Sequence, residues 1–270
     1  MTSFSALHHP GRPLLLPNAW DCASAAALAE QGFPAIGTTS LGVAAAAGMP
    51  DGMALTRDET LLLARRLGTG SFLLTVDAEG GFSDDPSEVA ELARWLAAAG
   101  AVGINLEDGR ADGSLTPVGL HSAKIAAVKA AVPDLFVNAR TDTYWLGGRE
   151  AETARRLLAY QQAGADGAFV PGLSDPPGIA ALVGTLDAPL NILYSPSGPT
   201  VAQLAELGVS RVSLGSLLFR RALGAAVRTA LDIRAGRPTS SETWTYAAAQ
   251  NLSSGGVHVS SSDVPPTTAD

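Results

Sequence analysis

The sequence predicts one α/β domain, a (β/α)8 TIM barrel with parallel strands and a polar, partly disordered C-terminal tail. Three observations lead there. Short apolar runs alternate with amphipathic stretches from one end of the chain to the other. The runs are continuously apolar rather than alternating, which strands covered on both faces require. A chain of 270 residues with 46% hydrophobic content also suits a barrel, a fold that routinely reaches this size as one unit.

Eight runs read as strands: 14–17 "LLLP", 34–38 "PAIGT", 71–77 "SFLLTVD", 101–106 "AVGINL", 135–139 "LFVNA", 167–170 "GAFV", 189–193 "PLNIL" and 210–214 "SRVSL". Helical patterns follow at about 22–31, 57–68, 87–99, 118–131, 150–163, 177–184, 200–207 and 216–235. Thr56 with Glu59 spells a capping box, and Asp85-Pro86, Thr116-Pro117 and Asp175-Pro176 each place a cap before a first-turn proline. The stretches "AAAGA" (97–101), "QAGADGAFV" (162–170) and "AELGVSRVSL" (205–214) repeat one device, a helix stopped at glycine and followed by a strand. An open doubly wound sheet would share this alternation, but no Gly-rich dinucleotide loop follows a strand, which favours closure. The barrel is expected over 1–235. A C-terminal extension rich in Ser, Thr and Gly covers 236–270, and its last 18 residues or so are expected to be disordered.

Composition narrows the function. A formal charge of −8 with no basic stretch argues against nucleic acid and anionic membranes as partners. No apolar run approaches the roughly 20 residues of a membrane-spanning helix. The start, "MTSFSALHHPGRPLLLP", lacks a signal-peptide layout, so a cytoplasmic location is expected. The single cysteine, Cys22, rules out an internal disulfide and argues against a thiolate metal cluster; it reads as a small buried residue. Together these point to a small molecule as the partner.

In a barrel of this kind the chemistry sits at the C-terminal ends of the strands. Those ends carry Asn18 and Asp21, then Thr38, Thr39 and Ser40, then Asp77 and Glu79, Glu107 and Asp108, and Asn138, Arg140 and Asp142. Asn191, Tyr194 and Ser195 follow the seventh strand, while the sixth ends in uncharged Val170-Pro171. Carboxylates converging from adjacent strands repel one another and raise each other's pKa, which a cation would relieve. Oxygen donors without His or Cys suit a hard ion, Mg²⁺ or Mn²⁺. Arg140 beside them offers a fixed fork for a substrate acid group. The competing reading makes Asp77 and Glu79 strand-end caps and pairs Glu107 with Arg140. Gly80 and Gly81 are expected to leave room for the metal's waters and the substrate, and Asp84 and Asp85 to cap the next helix.

"PNAWDCASAAALAEQGFPAIGTTSLGVAAAAGMPDG", "DAEGGF", "AGAVGINLEDG" and "NARTDTY", in this order, resemble the isocitrate lyase/phosphoenolpyruvate mutase superfamily over residues 14 to about 235. The resemblance implies a Mg²⁺-dependent barrel that forms or breaks C–C or P–C bonds beside a carboxylate through an enolate-like intermediate. It also implies a homodimer or homotetramer, often with an exchanged C-terminal helix. Asp77, Glu79 and Glu107 would hold the metal, some through water. Thr39, Ser40 and Leu41 would bind the substrate's acidic group, largely through main-chain N–H. Arg140 would bind substrate and the developing enolate oxygen, Asp51 would lie on a loop over the site, and Asn191 would face the substrate.

The departures from the family pattern bear on the reaction. The loop after the fourth strand reads "EDGRADGSLTPVGLHSAKI" and lacks both the lyases' "KKCGH"-like segment, with its acid cysteine, and the phosphonate branch's "DKxFPKxNS"-like segment. Arg110, Asp112 and His121 are the candidates left on that loop, with His121 read as a surface residue. The resemblance therefore implies a carbon–carbon lyase acting on a small 2-oxo or 2-hydroxy dicarboxylate. The alternatives are P–C bond chemistry such as phosphonopyruvate hydrolysis, and a non-catalytic 2-oxo acid-binding barrel.

Overall fold

A computed structural model describes residues 4–240 and 243–252; the stretches 1–3, 241–242 and 253–270, and with them the end of the tail expected to be disordered, lie outside the described residues. The strands are β1 (Leu14–Leu16), β2 (Asn18–Ala19), β3 (Ala35–Thr38), β4 (Leu73–Asp77), β5 (Ala101–Glu107), β6 (Phe136–Arg140), β7 (Gly167–Val170), β8 (Leu190–Leu193) and β9 (Arg211–Ser213). They form one parallel sheet in the order β1-β9-β8-β7-β6-β5-β4-β3-β2. The first strand, expected over 14–17, thus runs on to Ala19 and is broken in two. Pro17, which has no N–H to give, divides it, and its carbonyl accepts from Gly37 at 2.9 Å. One half pairs with β9 and the other with β3, which closes the ring into the expected barrel.

The helices are α1 (Cys22–Glu30), α2 (Ser40–Ala46), α3 (Arg57–Leu67), α4 (Pro86–Ala98), α5 (Val118–Ala131), α6 (Thr153–Gln162), α7 (Pro176–Thr185), α8 (Val201–Glu206), α9 (Leu217–Arg234) and α10 (Tyr246–Leu252). Asp85 and Asp175 cap as expected, accepting from Ser87 N and Gly178 N at 2.8 Å each. Two expected caps are corrected. Thr56 makes no cap bond because its hydroxyl is drawn away to Glu79. Thr116 does not cap either: α5 spans the expected 118–131, its N-cap position falls on Pro117, and the Thr116 hydroxyl accepts from Arg110 Nε at 3.1 Å. The seven residues of α2 and of α10 are too short to show a clear helical period. Cys22, the first residue of α1, is half-buried rather than buried, since a helix's opening residue stands at the barrel rim.

Apolar side chains from sheet and helices make one continuous core between the two layers, including Ile36, Val76, Leu92, Leu96, Ile104 and Ile125. A second, smaller cluster closes the barrel where its strands begin: Phe4, Leu14, Leu16, Ala35 and Phe136. There the Phe4 ring stands edge-on to Phe136 at 5.3 Å and His8 stacks on Phe136 at 4.6 Å. Burial, with Arg211 nearby, lowers His8 to about 4. No described helix is long and apolar enough to cross a membrane.

Candidate active site

A cavity of about 330 Å³ opens at the C-terminal ends of the strands. Parallel register sets its polar wall, because Asp77 pairs with Asn105 on the next strand and Glu107 pairs with Arg140 on the one after. The Asp77 N–H donates to Thr38 Oγ1 at 2.9 Å, which anchors the strand end. Asp77 Oδ2 accepts from Ser40 N at 3.4 Å, while the buried Oδ1 has no partner. Arg140 Nη1 meets Glu107 Oε2 at 2.6 Å, and its Nε and Nη2 donate to Asp142 at 2.6 and 3.1 Å. Gly109 makes the second contact possible: a side chain there would run into Asp142. A guanidinium carries about five N–H groups, so Arg140 retains donors for the cavity it lines.

Of the residues expected at the site, Thr39, Ser40, Leu41, Asp51, Asp77, Glu107 and Arg140 all line this cavity. Thr39, Ser40 and Leu41 form the start of α2 rather than a loop. Glu79 lines the adjoining cavity, which shares Glu107, and takes a left-handed φ of 47°. Its carboxylate accepts from Thr56 Oγ1 at 2.7 Å and Ala54 N at 3.1 Å, so it ties down the segment that carries Asp51. Replacing Thr56 with Val removes a hydrogen bond to a buried carboxylate and is expected to cost about 1.5–3 kcal/mol. Urea unfolding measures this, and an unchanged midpoint would contradict the tether.

Asn191 lies inside the barrel and does not line the cavity; its register partner is Arg211 and both its amide atoms are unpartnered. Asn191 is expected to face the substrate; the β8 residue that lines the cavity is Leu193, two positions further along the strand. His121 is corrected from surface to fully buried, its ring 4.5 Å from that of Tyr160. One turn of α5 faces the barrel there, and burial lowers the imidazole to about 3. Asp84 is no cap; it pairs with Arg110 at 2.7 Å and Lys124 at 3.1 Å. Arg110 itself lines the cavity. Gly81 leaves no room for ligands, since at φ 87° its Cα faces Val89 too closely for any Cβ. Asn105, Trp145 and Phe169 were not foreseen as lining residues. A signal existed for Asn105, the polar residue two before Glu107 and hence on the same strand face.

The phosphoenolpyruvate phosphomutase family model matches residues 4–234. The chain belongs to this family. It is 45% identical over 236 residues to the uncharacterized protein Rv1998c of Mycobacterium tuberculosis, covering 87% of this chain and 90% of that one. It is 34% identical over 169 residues to 2-methylisocitrate lyase of Bacillus subtilis, covering 59% of this chain and 56% of that enzyme. Among solved structures, a phosphonopyruvate hydrolase in complex with oxalate and Mg²⁺ superposes with a TM-score of 0.81 at 26% identity, covering 93% of each chain. The isocitrate lyase/phosphoenolpyruvate mutase superfamily read from the motifs is therefore the right one, and it comprises lyases, mutases and hydrolases.

The charges at the site fit the divalent cation this superfamily implies. Burial raises Asp77, with Arg140 opposing. Burial also pushes Glu107 well above the usual carboxylate range, and Asp142, Asp77 and Glu79 add to the effect. Burial raises Glu79 as well. Burial alone would lower Arg140, but Glu107, Asp142 and Asp77 more than offset it and keep it charged. One cation thus faces more acidic groups than it can neutralise. The unpartnered Asp77 Oδ1 is an oxygen donor aimed at nothing in the protein. Among the described residues no three acidic, His or Cys side chains converge as a ready-made metal-binding group. Glu79 in particular is turned toward Thr56 and Ala54.

Proposed function

We propose that this chain is a Mg²⁺- or Mn²⁺-dependent oxo-acid lyase that breaks a C–C bond in a small 2-oxo or 2-hydroxy dicarboxylate through an enolate-like intermediate. The single observation that carries this is that Asp77, with one buried oxygen unpartnered, and a partly committed Arg140 line the same small cavity. Asp77 and Glu107, with Glu79 behind them, would hold the cation, which when bound supplies Lewis-acid polarisation of the substrate's 2-oxo group. Asp142 and Glu107 fix the Arg140 fork, and its remaining N–H groups bind substrate and stabilise negative charge as it develops. The main chain at Thr39, Ser40 and Leu41 orients the acidic end of the substrate. Asp51, which lines the same cavity, would move a proton. Trp145 and Met53, exposed at the cavity mouth, limit the access of water.

P–C bond chemistry is the second reading, supported by the family model and by the likeness to phosphonopyruvate hydrolase. The test is a screen of 2-oxo, 2-hydroxy and phosphono acids with added Mg²⁺, read by mass spectrometry, together with calorimetry of oxalate binding. Carbon–carbon cleavage products support the lyase. Phosphate from phosphonopyruvate transfers the assignment to the second reading, and oxalate binding without turnover makes this a binding barrel. Failure to bind oxalate with Mg²⁺ present would overturn the acid-binding site itself.

We also propose a cytoplasmic homodimer or homotetramer. Leu223, Val227 and Leu231 recur every fourth residue on α9 and stay exposed, a row that a second copy would cover. Light scattering is expected to give at least twice the monomer mass; a monomer at working concentration would rule it out.

A further inference from the structure

A buried cation lies under the site without an acidic partner. Arg211, the first residue of β9, is 1% exposed, and its Nε and Nη1 make no hydrogen bond. Nη2 reaches across the barrel to Asn105 Oδ1 at 3.2 Å, and the guanidinium sits over the Phe4 ring at 5.9 Å. An unpaired buried charge is costly to a fold. An apolar side chain of similar size would serve the packing better, so stability does not explain an arginine here.

The contact with Asn105 does. A guanidinium has donors and no acceptor, so the Asn105 atom facing it has to be the oxygen. Asn138 Nδ2 donates to that same oxygen at 2.9 Å. With Oδ1 committed to two donors below, Nδ2 is the group left on the side of the cavity, which Asn105 lines next to Asp77. Without Arg211 the Asn105–Asn138 pair could turn over as a unit, with Asn105 Nδ2 then donating to Asn138 Oδ1. Asn105 would then present an oxygen to an anion.

We propose that Arg211 is a positioning residue that keeps the Asn105 amide turned so that Nδ2 donates a hydrogen bond to an anionic oxygen of the substrate. This rests on the reading of the cavity as an acid-binding site. Oxalate with Mg²⁺ is the probe, titrated calorimetrically into the unchanged protein and into Arg211→Met, Arg211→Lys and Asn105→Ala. Arg211→Met is expected to melt no lower than the unchanged protein yet bind oxalate about tenfold or more weakly, the loss of one hydrogen bond to a charged group. Arg211→Lys, which also only donates, restores most of that affinity. Asn105→Ala weakens oxalate comparably, and adding Arg211→Met to it changes nothing further.

Oxalate affinity unchanged in Arg211→Met, or a full additional loss in the double variant, would overturn the proposal. If Arg211→Met does not fold, Asn105→Ala decides, and unchanged affinity there overturns it too. No oxalate binding by the unchanged protein would instead sink the acid-binding reading on which the proposal stands.

Discussion

Replacing Asp77 with Asn is expected to abolish turnover while leaving the metal-free barrel at least as stable as before. Asp77 ends β4 with one oxygen unpartnered in a buried setting and the other held only by a 3.4 Å contact from Ser40 N. An amide keeps that contact, since its oxygen also accepts. Burial raises the carboxyl, so the folded chain binds its proton more tightly than the unfolded chain does. Stability therefore falls as pH rises from the ordinary carboxylate value through the raised one, and above that window the ionised group weighs against folding. Asn removes that cost together with the charge a cation needs. Activity is expected to drop at least about 10²–10³-fold, the scale for losing a principal electrostatic group, and calorimetry should show divalent binding weakened in parallel. Metal-dependent turnover at the original rate in Asp77→Asn would end the assignment of Asp77 as a ligand.

Asp108→Ala is expected to cost the most in stability, although the residue sits next to a proposed metal ligand. Asp108 is fully buried. It accepts from Tyr160 Oη at 2.7 Å, Thr141 Oγ1 at 2.8 Å, Asp142 N at 2.9 Å and Arg156 Nη1 at 3.2 Å. Removing it leaves a buried guanidinium and a buried phenol facing a void. Breaking a buried ion pair from one side costs about 3–5 kcal/mol. Arg156 keeps Glu152 at 3.0 Å and the Thr116 carbonyl, which points to the lower end. For a chain of this length that corresponds to a fall in Tm of roughly 10 °C. A loss under about 1 kcal/mol in chemical denaturation would show that the network relaxes around the gap. A drop in oxalate affinity is expected with it, because the Asp108 carboxylate also holds Asp142, the residue that orients Arg140.

Neighbouring carboxylates thus have opposite jobs, and strand alternation explains how. Glu107 points into the barrel toward Arg140, while Asp108, one residue on, points out toward Arg156 and Tyr160 on α6. The alternation was legible in "NLED", but only the docked helices show that a basic residue and a tyrosine wait on the outer side. Thr56 is similar. As a string, "TRDE" spells a capping box; in space the hydroxyl is closer to a stronger acceptor, the Glu79 carboxylate, and goes there. His121 is a third case, since a histidine in a helix's second turn reveals nothing about which side the barrel lies on.

By itself the sequence determined the barrel, its eight repeating units and the family. It also determined most of the rim residues, because continuous apolar runs and strand-end polarity are local properties of the chain. The tertiary structure alone decided which of those polar groups act together. Arg140 choosing Glu107 and Asp142, Glu79 turning to Thr56, and Arg211 reaching across to Asn105 depend on register and close packing between segments as many as 106 residues apart. Distances of that kind are set by the closure of the ring, and no local pattern in the chain records them.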